Sequence, residues 1–279
     1  MVARLEEEKL LEADLGWLAN IPYRKMVSFG WVADIKDTKG RLSEVLRFFG
    51  IASVRQWQQM WPNLSVAYRQ TQKYDVSPEA VSAWLRQGEI QAGQLNCRPF
   101  DKKAFRAALD DIRSLSTKSP DVFLPELKQL CAGAGVAVVF VPCLPKTGVS
   151  GATRWINKDK AIIQLSLHYK SDDHLWFTFF HEAGHILLHG KKEMFLEGTN
   201  GLDNEKEEEA NRFASNELIS GKALKAFIDQ HKPTKDNITC FAGEVGISAG
   251  IVVGQLQHRG ILPRAHCNDL KQFYTWDHE

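Results

Sequence analysis

Leu175-Trp-Phe-Thr-Phe-Phe-His181-Glu182-Ala-Gly-His185-Ile-Leu-Leu188 is the stretch from which the rest of the chain is read. It lacks proline and is apolar apart from three ionisable residues and one threonine. Ser171-Asp172-Asp173 offers capping groups ahead of it, so the stretch predicts a buried helix ending near Gly190. Histidines four apart share one helix face, close enough for both imidazoles to bind one zinc ion at about 2.0–2.1 Å. Glu182, between them, is placed to take a proton from a water that such an ion activates. The plainer reading, two helix histidines with satisfied side chains, fits the setting poorly. Three ionisable groups within five buried positions are costly unless an ion engages them.

A third ligand must come from elsewhere. A second strong helix is predicted from about Asn204 to Ile219, and Glu205, Glu207, Glu208 and Glu209 all compete within it. Ala210, Phe213, Ala214, Glu217 and Leu218 mark its inward stripe, and Glu207 falls on the edge of that stripe. Glu207 and Asn211 then form an E-x-x-x-N pair. With Asp in the last place, that spacing is what Glu-zincins use to set one ligand on the metal and one acceptor on a histidine. Glu209 is the alternative ligand, whereas Glu205 and Glu208 read as a solvated acidic face. Gly184, Ala210 and Ala214 are small enough to let the two helices approach. His189, one turn past His185, reads as a supporting group or a bystander. His168, His174 and His258 read as surface or core residues.

Upstream, a helix at Leu124 to Ala134 leads into the β-rich Val136-Ala-Val-Val-Phe-Val141. Ser150 to Ile156 is extended, Asn157 to Lys160 is a turn, and Ala161 to Leu167 is extended again, so a small antiparallel sheet is expected. The fold class is α+β: residues 120–279 form one domain, closing with a helical pair over about 236–279 broken at Gly246-Ile-Ser248. Residues 1–119 precede it as an all-helical region, with apolar residues at helical spacing in Leu11-Leu15-Leu18, Leu42-Val45-Leu46-Phe49, Val81-Trp84-Leu85 and Phe105-Leu109-Ile112. Gly50, Trp61-Pro62-Asn63, Ser77-Pro78 and Arg98-Pro99 punctuate these helices. Gly148 to Arg154 carries two glycines that would let another backbone approach, so Ser150, Gly151 and Ala152 are candidate substrate-binding residues on an exposed sheet edge. A plain loop tip is the alternative reading.

Charge excludes the easiest partners. The chain has 35 Lys plus Arg against 34 Asp plus Glu, a net charge of +1, with no basic block. Residues 1–120 hold 18 basic and 14 acidic residues, and residues 241–279 hold three and four, the wrong balance for phosphate contact by the C-terminal helical pair. That pair reads as packing or partner recognition. Five cysteines in no C-x-x-C pattern suit reduced thiols. No apolar stretch fits a signal peptide or a bilayer span, so a cytoplasmic location without membrane contact is expected.

His181-Glu-Ala-Gly-His-Ile-Leu-Leu-His189 followed by Glu207-Glu-Glu-Ala-Asn-Arg-Phe-Ala214 resembles the ImmA/IrrE metallopeptidase domain. Val149 to Trp155, Ile163 to Leu167, Asp172 to Phe180 and Gly250 to His258 resemble the subgroup fused to HigA-like helix-turn-helix antitoxins, over about residues 3–279. The resemblance implies a zincin-like fold, with His181, His185 and Glu207 as zinc ligands and Glu182 as base. It also implies cleavage or inactivation of a protein partner, a helix-turn-helix repressor or toxin–antitoxin component. In that subgroup the DNA-binding domain precedes a segment similar to Arg4-Leu-Glu-Glu-Glu8, where this chain starts, so DNA contact is expected only through a missing or separately encoded domain. The usual Leu-x-Pro after the acidic helix is replaced by Leu218-Ile219-Ser220. Two functions follow as expectations: a zinc-dependent endopeptidase, or a non-catalytic regulatory module that keeps the metal fold as a protein-binding scaffold. Glu182 favours the first, since a structural zinc site has no need of a base.

Overall fold

Short local signals set where the N-terminal helices begin and end. Asp37 accepts a hydrogen bond from the Gly40 N–H at 2.7 Å and starts a helix that Gly50 stops in the left-handed conformation at φ 70°. The computed structural model describes residues 12–61, 76–190, 195–196 and 204–276. Two compact units divide the chain: Met1–Ile90 with Cys143–Val149, and Gln91–Pro142 with Ser150–Glu279. In the first, residues 12–20 (α1), Tyr23–Ser28 (α2), Thr38–Phe49 (α3), Val54–Met60 (α4) and the start of Pro78–Gln94 (α5) surround Met26, Val45, Trp57, Val81, Trp84 and Leu85. Trp57 Nε1 donates to Ser82 Oγ at 3.0 Å, satisfying a buried indole. Pro62 and Asn63 of the expected turn, Leu11, and Arg4 to Glu8 lie outside the described residues.

The second unit takes up Lys102–Ser114 (α6), so the division falls after Ile90 and not at the expected 119/120. The cause is the apolar stripe of α6. Phe105, Leu109 and Ile112 join one core with Phe123 and Leu127 of Pro120–Gly133 (α7) and with Trp176, Phe179 and Phe180. Each such fully buried side chain contributes on the order of 1.5–3 kcal/mol relative to exposure. Arg113 of α6 donates to the carbonyls of Leu218 and Val245 at 2.9 and 2.7 Å, and each is the last residue of a helix. One guanidinium thus caps two C-termini.

The sheet contains Val136–Phe140 (β1), Gly151–Asn157 (β2), Lys160–Leu165 (β3) and Phe195–Leu196 (β4) in the order β1-β3-β2-β4. It is mixed, which corrects the expected antiparallel sheet. β2 pairs antiparallel with β3 and β4, but β1 pairs parallel with β3, Val138 opposite Ile163. The hairpin turn at Asn157 folds β3 inward beside β1, so the strand next in sequence to β1 is not its neighbour. β1 and β3 are almost entirely buried, which accounts for their unbroken aliphatic runs.

Asp172–Leu188 (α8) crosses the sheet and packs against Asn204–Leu218 (α9) and Ala249–His258 (α12); Gly221–Gln230 (α10) and Lys235–Val245 (α11) complete the unit. Its first turn is held by buried polar contacts. The carboxylate of Asp172 accepts from the Ser248 hydroxyl and from the Asp173 N–H, while Asp173 accepts from Lys271 Nζ at 2.7 Å and from the Ser171 hydroxyl at 2.6 Å. Gly254 of α12 comes so near that an added Cβ would lie 2.6 Å from the Asp173 carboxylate, so glycine is what this crossing requires. Ile251, Val252, Val253 and Leu256 of α12 are buried, placing the C-terminal helical pair in the core. Among the described residues no single helix is long and apolar enough to cross a membrane.

Candidate metal centre

The pentapeptide motif lies in the most buried part of α8. His181, Glu182 and His185 are at most 1% exposed, since the helix has the sheet on one side and α9 on the other. Close approach of α8 and α9 depends on small residues. A Cβ on Gly184 would meet the Ala210 backbone at 3.3 Å and Phe213 at 3.1 Å. That contact brings the acidic helix over the two histidines. Nε2 of His181 and Nε2 of His185 stand 2.9 Å apart, and the Glu207 carboxylate oxygens lie 3.3 and 3.4 Å from them.

These three donors converge as ligands of one small cation do. Bonds of 2.0–2.1 Å in a tetrahedron put ligand atoms about 3.4 Å apart, which the two histidine–carboxylate edges match, while the edge between the imidazoles, at 2.9 Å, is shorter. Two imidazoles and one carboxylate also match the donor preference of zinc and neighbouring transition metals. His181, His185 and Glu207 are the group of metal-ligating side chains found among the described residues. Glu209, the alternative ligand, contacts the Nε2 of His189 at 3.2 Å instead. Glu205 and Glu208 are exposed, Glu208 facing Arg212 at 3.7 Å.

The histidine tautomers follow from their other nitrogens. Nδ1 of His181 lies 2.9 Å from Oδ1 of Asn211, an oxygen that only accepts, so Nδ1 carries the hydrogen and Nε2 keeps its lone pair. Burial, then the neighbouring imidazoles of His181 and His189, push the pKa of His185 down to about 2. His185 is therefore neutral and able to act as a ligand at any physiological pH.

Glu182 points to the sheet. A Cβ on Gly151 would lie 2.8 Å from Oε1 of Glu182 and 2.5 Å from Cγ2 of Thr178, one helical turn earlier. The Thr153 hydroxyl donates to the Glu182 carbonyl at 3.2 Å and ties β2 to the motif. Gly151 is thus needed because helix and strand touch there. The expected free edge is corrected at Ala152: it is 1% exposed and pairs with Gln164 on one side and Leu196 on the other. Ser150 is engaged as well, its carbonyl accepting from the Ser166 N–H at 2.9 Å. The contact of His189 with His185, 2.9 Å between Nδ1 atoms, is the feature that motif reading left undecided. Its signal is the run of histidines at positions 181, 185 and 189.

No curated protein matches the chain significantly. Residues 131–257, which contain every side chain of this centre, match the family model described as the IrrE N-terminal-like domain, Peptidase M78, so this segment is similar to a metallopeptidase domain.

Proposed function

We propose that the chain is a zinc-dependent endopeptidase of the cytoplasm that cleaves a protein partner, a helix-turn-helix repressor or a toxin–antitoxin component. The observation that carries this reading is the convergence of His181 Nε2, His185 Nε2 and the Glu207 carboxylate beside a buried Glu182. His181, His185 and Glu207 would hold the ion. When bound, zinc supplies Lewis acidity toward water and the scissile carbonyl. Glu182 takes the proton released from water and returns it to the leaving amine, a role suited to a carboxylate kept from solvent. Asn211 fixes the orientation of His181, and Thr153 fixes the helix turn that bears Glu182.

A second reading, a non-catalytic scaffold, is favoured by one observation: Glu182 is 0% exposed, so water and substrate reach it only if the site opens. One experiment separates the two. Purified parent and Glu182→Gln proteins are incubated with purified helix-turn-helix repressor proteins, and cleavage is followed by mass spectrometry. Cleavage by the parent alone, with equal metal content in both proteins, is the expected result. A partner bound by both and cut by neither would leave the scaffold.

A further inference from the structure

The histidine face of α8 runs one turn further than the motif requires. His189 follows the last residue of the helix, its side chain only 3% exposed, whereas the adjacent Leu188 is 50% exposed. The chain end turns outward while the imidazole stays in. Its Nδ1 lies 2.9 Å from Nδ1 of His185, and its Nε2 lies 3.2 Å from Oε2 of Glu209 on α9.

Unlike the two Nε2 atoms, which face Glu207 across the centre, the two Nδ1 atoms share one hydrogen, and Glu209 at the far end decides which ring donates. The carboxylate of Glu209 only accepts, so it draws the ring hydrogen of His189 to Nε2 and leaves Nδ1 bare as the acceptor. That bare nitrogen accepts from the Nδ1–H of His185. His185 then presents a lone pair at Nε2, the atom that faces His181 Nε2 at 2.9 Å and Glu207 at 3.4 Å. Asn211 imposes the same tautomer on His181 directly. Asn211 and Glu209 flank Ala210, the residue seated on Gly184, so the contact that brings the helices together also delivers both acceptors.

We propose that His189 and Glu209 form a positioning relay that holds His185 in its metal-binding tautomer and ring orientation. The relay rests on the metal-centre reading above and adds to it a second line of support, supplied by α9 through an intervening histidine. Glu209 acts on the centre without touching the ion.

The test uses the full chain with His189→Ala, His189→Gln, Glu209→Ala and Glu209→Gln, and with Glu207→Ala and Glu208→Ala as references. Zinc affinity is measured by competition with a chromophoric chelator, and the coordination sphere by the visible spectrum of the cobalt-substituted proteins. Circular dichroism and the thermal midpoint report folding. His189→Ala should bind zinc about 10–100-fold more weakly and shift the cobalt bands. His189→Gln, whose amide oxygen can accept from His185, should recover most of that loss. Glu209→Gln should stay near the parent and Glu209→Ala fall between. A folded His189→Ala protein with parental affinity and spectrum overturns the relay, as does His189→Gln as weak as His189→Ala. If His189→Ala fails to fold, the Glu209→Ala and Glu209→Gln pair decides, and equal affinity in those two overturns it. A parent that takes up no metal, or a Glu207→Ala protein that binds as the parent does, overturns the metal centre itself. Dependence on Glu207 with indifference to His189 sinks the relay alone.

Discussion

Nδ1 of His181 and Oδ1 of Asn211 lie 2.9 Å apart, joining the motif helix to the acidic helix by a bond whose direction is fixed by chemistry. The amide oxygen has no hydrogen to give, so the ring must donate and its other nitrogen must face the centre. Replacing Asn211 with Ala should weaken zinc binding by about 10–100-fold, while Asn211→Asp, which keeps the acceptor, should retain or improve it. Chelator competition measures both. Equal losses in the two variants would show that the bond does not orient the ring.

Gly151 provides a different test, because it touches the base and not the ligands. An alanine there would press its Cβ on Glu182 Oε1 and Thr178 Cγ2, at separations no real Cβ tolerates. Gly151→Ala should keep bound zinc yet reduce turnover of a cleaved partner at least about tenfold, equivalent to roughly 1.4 kcal/mol in the barrier. Zinc content and the rate constant are read on the same sample. Undiminished turnover would mean that Glu182 can move away freely and that its present position is not the working one.

The first turn of α8 makes stability depend on pH in an unusual sense. Burial, with the charge of Asp173 adding to it, raises Asp172 to about 6, against the opposing hydrogen bonds from Ser248 and backbone N–H groups. Between the ordinary carboxylate value and about 6 the folded chain holds a proton that the unfolded chain has lost, so this group makes stability fall as pH rises through that window and no further above it. Asp172→Asn removes the titration while keeping the shape, and the Ser248 hydroxyl can turn to accept from the new amide. Thermal midpoints measured from pH 4.5 to 7 should fall less steeply, or rise more, in the variant than in the parent. Parallel curves would contradict the assignment.

His185 acts in the opposite direction in the metal-free protein. Its depressed pKa means that the unfolded chain binds a proton below its ordinary value of about 6.5 that the folded chain refuses, so stability drops as pH falls. His185→Gln should lessen that acid sensitivity in chelator-treated protein, followed by thermal unfolding. An unchanged slope would place the acid sensitivity elsewhere.

The parts of the site legible in sequence are those set by short-range chemistry. An apolar helix with two histidines four apart is a local pattern, and the E-x-x-x-N pair sits on a stripe that periodicity marks without any knowledge of the partner helix. The helical character of Phe105-Leu109-Ile112 is equally local, yet periodicity does not say which core those residues enter, and they enter that of residues 91–142 and 150–279. Strand pairing is non-local too: nothing within Val136 to Val141 reveals that its neighbour is β3 and runs parallel. In sequence, Gly151 marks a free edge because glycine usually signals a turn or a backbone approaching from outside. Here the approaching group is internal, the side chain of Glu182, and only the three-dimensional contact distinguishes the two.

Metal content per chain, measured by plasma mass spectrometry on the parent and on Glu207→Ala, Glu205→Ala and Glu182→Gln proteins purified alike, bears most directly on the central claim. One zinc per chain is expected in the parent, in Glu205→Ala, whose side chain is exposed, and in Glu182→Gln, with strong depletion in Glu207→Ala alone. A parent without stoichiometric metal, or a Glu207→Ala protein that retains it in full, would contradict the centre described for His181, His185 and Glu207.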